Sequence, residues 1–234
     1  MSLDIAKHKN ILIKILKEIF INASVGPFLG FKGGTAALLF FNLNRFSVDL
    51  DFDLIDEKQE DYIFNQIKNI LEKYGKLKEA EKKRYSLFYL LSYDNKDVNA
   101  QNVKVEINLR NFNSRYTVES YLGISMKVMI KEDMFAHKIV AMYERLGRTN
   151  RDIFDVYFFF SHNWPMNKNI VESRTGMSYR EFLVKLLDSL EKFDNKDILS
   201  GMGELLDERQ KVWVKVKLKS ETMFLLKLAL ENEK

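Results

Sequence analysis

Asp49 and Asp51 stand two apart in the run Arg45-Phe46-Ser47-Val48-Asp49-Leu50-Asp51-Phe52-Asp53, where acids alternate with apolar residues. That period of two predicts a strand from Ser47, with Val48, Leu50, Phe52 and Leu54 on one face and Asp49, Asp51 and Asp53 on the other. Carboxylates at i and i+2 project from one sheet face roughly 7 Å apart along the backbone, near enough for their oxygens to converge on two magnesium ions spaced by roughly 4 Å. The alternative is a solvated acidic face. Three acids on one face repel one another unless a cation or basic groups neutralise them. Asp53 continues the face outside the Asp49–Asp51 pair and is expected behind it.

A second constellation precedes the first. Phe28 to Lys32 reads as a short buried strand, Gly33-Gly34 as a tight turn, and Thr35 to Asn42 as a helix opening directly out of that turn. Backbone N–H groups and a hydroxyl at such a turn suit an anion, and phosphate in particular; the glycines could equally serve only a turn or close packing. A phosphate cradle and a divalent-cation site separated by one short helix suit a nucleoside triphosphate.

The remaining composition narrows the chemistry. No cysteine occurs in the 234 residues, which excludes a thiol nucleophile, a disulfide scaffold and a zinc–thiolate site. His8, His137 and His162 lie far apart without chelating spacing and read as structural, so acid–base or metal work falls to carboxylates and to magnesium or manganese. The net charge of +4, from 37 basic and 33 acidic residues, permits an acidic partner without demonstrating one. Residues Met1 to Asn10 lack the apolar core of a signal peptide, and the longest apolar run, Ala36 to Phe41, is too short to span a bilayer. A cytoplasmic protein with no membrane partner is the expectation.

These residues need a framework. Sparse punctuation, two prolines and ten glycines, predicts long helices. Ile5 to Phe20 repeats apolar residues at helical spacing, and Glu57 to Tyr74 reads as a further helix. Tyr85–Tyr93, Val103–Arg110 and Tyr121–Met129 read as strands, the middle one setting Lys104, Glu106, Asn108 and Arg110 on its polar face. From Lys131 the pattern is helical: Phe135, Ile139, Met142 and Leu146 form one stripe, followed by helices over 151–161, 178–193 and 221–230. Two domains are expected, an α/β one over 1–130 and a helical one over 131–234. Val212 to Lys219 alternates like a strand but fits an amphipathic helix slightly better. The aromatic run Tyr157 to Phe160 fits core packing better than a base-stacking platform.

Lys32-Gly33-Gly34-Thr35-Ala36 followed by Arg45-Phe46-Ser47-Val48-Asp49-Leu50-Asp51-Phe52 resembles the GG(S/T)…DxD signature of the polymerase-β-like nucleotidyltransferase superfamily. The Arg-x-Ser-x-Asp-Leu-Asp-Phe wording is more narrowly similar to the AbiEii/AbiGii toxins, nucleotidyltransferase components of type IV toxin–antitoxin and abortive-infection systems. The resemblance implies a mixed-sheet α/β (α+β) core with a helical C-terminal region, and a third carboxylate on a later strand, where Glu106 stands. It also implies a Lys-x-x-Ala helix and an Arg-Asp-x-x-Asp helix start, here Lys138-Ile139-Val140-Ala141 and Arg151-Asp152-Ile153-Phe154-Asp155. Past residue 165 it thins.

The resemblance thus implies an enzyme that moves a nucleoside monophosphate from an NTP to an acceptor hydroxyl, on RNA such as tRNA or on a protein. Asp49, Asp51 and Glu106 would hold Mg²⁺ or Mn²⁺, and Gly33, Gly34, Thr35, Arg45, Ser47 and Lys138 would contact the nucleotide. Lys138 and Asp152 would complete the catalytic set, and a cognate antitoxin is implied by the family alone. Simpler roles stand beside these: Glu106 paired with Lys104 or Arg110, Lys138 snorkelling to water, Asp152 closing a capping box with Thr149, Arg45 balancing the acidic strand. A module of the same fold that binds nucleotide or RNA without catalysis and acts through a partner is the alternative.

Overall fold

The computed structural model describes residues 4–93 and 101–233. They pack as two units, one drawn from Met1–Asn111 and Arg115–Met129, the other from Phe112–Ser114 and Ile130–Lys234.

In the first unit, Asp4 caps helix α1 (Ile5–Ile21) by accepting from the Lys7 amide at 3.0 Å, and Leu12, Ile15, Leu16 and Ile19 recur at helical spacing on its buried side. After a 3₁₀ turn at Gly26–Phe28 come β1 (Leu29–Lys32), α2 (Gly33–Phe41), β2 (Leu50–Leu54) and α3 (Glu60–Glu72). Strands β3 (Lys76–Lys83), β4 (Ser86–Ser92), β5 (Asn102–Asn108), β6 (Tyr116–Tyr121) and β7 (Ile124–Met129) follow. They form a mixed seven-stranded sheet in the order β3-β4-β5-β2-β1-β7-β6, with β2 parallel to β5 and antiparallel to β1.

Alternation sorts the central strands onto two faces. Phe31, Phe52, Tyr89, Val105 and Ile107 are wholly buried on one. Three helices lay rings against it: Phe20 of α1 lies 6.1 Å from Phe52, Phe40 of α2 lies 6.4 Å from Phe31, and Phe64 of α3 stacks on Tyr89 at 5.5 Å. Each large side chain so buried contributes roughly 1.5–3 kcal/mol, and a one-residue slip would turn acids into this core. The register that protects the core therefore puts Lys32, Asp51, Asp53, Lys104, Glu106 and Asn108 together on the opposite face.

The mixed α/β architecture agrees with the sequence expectation, but several elements differ. Strand β2 begins at Leu50, so Ser47 to Asp49 precede the ladder rather than belonging to it. Helix α2 begins at Gly33, before the expected Thr35. Tyr121–Met129 is not one strand: Leu122 and Gly123, at φ 51° and 77°, turn the chain from β6 into β7.

The second unit contains α4 (Lys131–Arg145), α5 (Arg151–Ser161), α6 (Lys168–Thr175), α7 (Tyr179–Lys192), α8 (Glu208–Trp213) and α9 (Lys219–Glu231). A π-helical segment, Val214–Leu218, joins α8 to α9, so the ambiguous stretch around Val212 is helical. Val214 and Leu218, four apart, are buried, whereas Val212 and Val216 face solvent, which is helical rather than strand periodicity. Phe158 and Phe159 are buried, and Phe159 stacks on Trp164 at 4.1 Å, so the aromatic run is core packing. Among the described residues no helix is long and apolar enough to cross a membrane.

Candidate active site

Parallel pairing sets Asp51 opposite Glu106 and Asp53 opposite Asn108, with Lys104 one step along the same face. The Lys104 ammonium lies among three carboxylates, 3.0 Å from Glu106 Oε2, 3.4 Å from Asp51 Oδ1 and 3.9 Å from Asp49 Oδ2. Burial alone would lower the pKa of Lys104. The charges of Asp51, Asp49 and Glu106, with the Glu106 hydrogen bond, outweigh it and hold the amine above the ordinary lysine range. Glu106 thus has the Lys104 partner that its sequence spacing allows, and shares that partner with both aspartates.

Asp53 lies deeper in the same face. It accepts from Lys32 Nζ at 2.5 Å, Tyr116 hydroxyl at 2.6 Å and Asn108 Nδ2 at 2.7 Å. Its burial favours the neutral acid, but the Lys32 charge and these three donors prevail and keep the carboxyl below its usual pKa. Asp53 is therefore a structural anchor joining β1, β2, β5 and β6.

The first turn of α2 closes against the acids. Gly33 has φ +78°, and a Cβ there would stand 2.5 Å from Asp51 Oδ2; at Gly34 a Cβ would meet Ser47 Oγ at 2.8 Å and Arg45 Nη2 at 2.9 Å. Only glycine lets the backbone approach so near. Thr35, buried in that turn, donates to the Asp49 carbonyl at 2.5 Å and shares a hydrogen bond with Ser47 Oγ at 3.0 Å. On the preceding residue, His8 Nε2 pairs with the Val48 carbonyl at 2.9 Å, and its Nδ1 with the Tyr93 hydroxyl at 2.7 Å. Asp49, although outside the ladder, is thus fixed at consecutive carbonyls by α2 and α1. Arg45 is buried and donates from Nη1 to the Phe46 carbonyl at 2.8 Å.

Donor chemistry at Asp49, Asp51 and Glu106 fits a hard divalent ion: three carboxylates, two from the run 49–51 and one from β5, already surround the Lys104 ammonium. Among the described residues no group of three His, Asp or Glu is drawn onto one point as a finished metal cage. The carboxylates are arranged around the Lys104 ammonium.

In the second unit, Lys138 of α4 lies 3.1 Å from Asp152 Oδ1 and 3.0 Å from Asp155 Oδ2, both on α5 and both fully buried. Arg145 reaches Asp152 Oδ2 at 2.7 Å. The capping-box reading of Asp152 is corrected here: Asn150 is the N-cap of α5, it makes no side-chain cap hydrogen bond, and Asp152 turns inward to the two cations instead. His137, bonded to Ser114 at 2.7 Å and to Arg174, and His162, bonded to the Phe158 carbonyl at 2.8 Å, are packing residues.

The structure therefore gathers Gly33, Gly34, Thr35, Arg45, Ser47, Asp49, Asp51 and Glu106 in the first unit, and Lys138 with Asp152 in the second. Sequence reasoning treats Lys104 only as a partner of Glu106 and passes over Lys32, Asn108 and Tyr116. The alternation of Val103–Arg110 does place Lys104, Glu106 and Asn108 on one face; the parallel pairing that brings β2 beside them has no local signal.

Comparison with known proteins bears on the family and the fold. The family model described as Nucleotidyl transferase AbiEii toxin, Type IV TA system matches residues 14–212. A search of curated proteins gave no match. JHP933 from Helicobacter pylori is similar with a TM-score of 0.58 and 20% identity over 100% of this chain and 96% of its own. Another Helicobacter pylori chain has a TM-score of 0.60 and 20% identity, over 100% of this chain and 99% of that one. MenT4, a nucleotidyltransferase toxin from Mycobacterium tuberculosis, gives 0.58 and 17% identity over 95% of this chain and 84% of its own. At such identities the structural likeness establishes the fold, while the family model covers most of the chain. The chain belongs to the AbiEii family of nucleotidyl transferase toxins of type IV toxin–antitoxin systems.

Proposed function

We propose that this family member is a divalent-metal-dependent enzyme that transfers a nucleoside monophosphate from an NTP to an acceptor hydroxyl and releases pyrophosphate. The observation that carries this reading is the grouping of Asp49, Asp51 and Glu106 around the Lys104 ammonium, beside a glycine-lined helix start. Asp49, Asp51 and Glu106 would hold Mg²⁺ or Mn²⁺, which when bound supplies charge to the triphosphate and lowers the pKa of the attacking hydroxyl.

The amides of Gly33 and Gly34 in the first turn of α2 take phosphate oxygens, aided by the helix dipole. Thr35 serves the site by fastening the Asp49 carbonyl, and Ser47 and Arg45 flank the same turn. The acceptor hydroxyl gives up its proton to water and its oxygen bonds to the α-phosphorus as the bond from that phosphorus to the bridging oxygen breaks, and pyrophosphate departs. Lys138, fixed by Asp152 and Asp155, is a point charge suited to the negative charge that develops on such a leaving group.

Transfer RNA is the first acceptor to try, on the strength of the family resemblance; another RNA or a protein hydroxyl is chemically equivalent. The type IV family implies an antitoxin partner. The test is incubation of the pure protein with each labelled NTP, Mg²⁺ and total tRNA, in parallel with Asp51→Asn. Label on tRNA or protein in the wild type alone supports the proposal. No label above the Asp51→Asn level with any NTP overturns it.

A further inference from the structure

Lys104 is not among the residues that the resemblance assigns to chemistry, yet its ammonium occupies the centre of the acidic face. Its position follows from the sheet. Glu106 pairs with Asp51 and Val105 with Leu50, so Lys104 stands level with Asp49, one residue ahead of the ladder. Its side chain is only 25% exposed, and the three carboxylates with Lys104 carry a formal charge of −2. Lys32, the lysine of β1 on this face, is committed to Asp53 at 2.5 Å.

A lysine is a point charge on a flexible four-carbon stem, able to neutralise carboxylates and to swing away without backbone movement. A divalent ion at the same carboxylates meets the ammonium as a like charge a few ångströms off, in a partly water-excluded place where screening is weak. We propose that Lys104 is a built-in counter-ion of the metal site: it holds Asp49, Asp51 and Glu106 in place while no metal is bound, and must be displaced for a divalent cation to enter. This rests on the metal-dependent reading of the same carboxylates. It adds to that reading that the fold sets the metal affinity low, through one positioning residue.

The experiment is Mn²⁺ binding to the full chain, followed by titration calorimetry and by the electron-spin signal of free Mn²⁺, with no nucleotide present. Wild type, Lys104→Met, Lys104→Gln, Lys104→Arg and Asp51→Asn are compared. Lys104→Met and Lys104→Gln should bind Mn²⁺ about tenfold more tightly or better, because a like charge is removed. Lys104→Arg, which keeps the charge, should stay near the wild type. In EDTA the two neutral variants should melt below the wild type, and Mn²⁺ should raise their melting temperatures by more.

A lysine that only supported the fold would give weaker metal binding when removed. Unchanged or weaker Mn²⁺ affinity in both neutral variants overturns the inference, and if the wild type still binds in an Asp51-dependent way, the metal site itself stands. If neither the wild type nor any Lys104 variant binds Mn²⁺, the metal reading fails and the Lys104 inference with it.

Discussion

Gly33 shows how little latitude the site leaves a single residue. Its φ of +78° already disfavours any side chain, and an added methyl would press on the Asp51 carboxylate. Gly33→Ala should therefore destabilise the protein by about 1–3 kcal/mol and abolish nucleotide transfer, as read by urea denaturation and label transfer. A variant of wild-type stability and activity would show that Asp51 does not need this close approach. His8 gives a pH-dependent counterpart. Burial holds its imidazole below the ordinary pKa, against smaller upward pulls from the Val48 carbonyl and the Asp49 charge. In the unfolded chain His8 titrates near its usual value of about 6.5, so below that pH the unfolded state binds more protons than the folded one. The stability it contributes is present above about pH 6.5 and lost as pH falls through the folded value. Denaturant midpoints should drop from about pH 7.5 to about pH 5.5 in the wild type and less steeply in His8→Gln; equal slopes would contradict the assignment.

Elements hold these residues through two kinds of contact. The tether from Thr35 on α2 reaches the carbonyl of Asp49, which stands ahead of β2. Thr35→Val removes that donor, which should cost about 0.5–1.5 kcal/mol, and displaces Asp49, which should lower transfer roughly 10- to 100-fold. Activity retained at wild-type level would remove Thr35 from the positioning scheme. Between α4 and α5 the contact is ionic: fully buried Asp152 faces both Lys138 and Arg145. Asp152→Asn strips one buried partner from two cations and should cost about 3 kcal/mol in urea unfolding, whereas an effect under about 0.5 kcal/mol, ordinary for surface sites, would place the pair outside the structural core. The two contacts differ in legibility. Asp152 and Lys138 were readable as motif residues, yet the capping-box interpretation failed because the acid's cationic partners lie on another helix. Asp49 and Asp51 were readable because acids alternating with Leu and Phe leave a visible period, although the period ran past the true start of β2.

Across the whole molecule, central elements were legible and edges were not. Strands β5 and β7 bury one face, so their apolar residues alternate. Strand β3, Lys-Leu-Lys-Glu-Ala-Glu-Lys-Lys, lies at one edge of the sheet and β6 at the other, where exposure removes the apolar signal and charge discourages pairing with another chain. For the same reason the site was half legible: residue types announced the carboxylates and glycines, while Lys104 acquires its position only from the long-range pairing of β5 with β2. That pairing also gives the acidic face its own counter-charge, from which a fold that forms without a metal is the expected outcome. Chelation with EDTA should leave the wild-type circular dichroism spectrum and melting temperature nearly unchanged; cooperative unfolding on chelation would mark a structural metal instead. Nucleotidyl transfer itself is tested most directly by comparing NTP labelled at the α-phosphate with the same NTP labelled at the γ-phosphate. Label from the α-position should appear on the acceptor, with one pyrophosphate released per transfer, and be absent with Asp51→Asn. Transfer of the γ-label, or α-label transfer undiminished in Asp51→Asn, would contradict nucleotidyl transfer at these carboxylates.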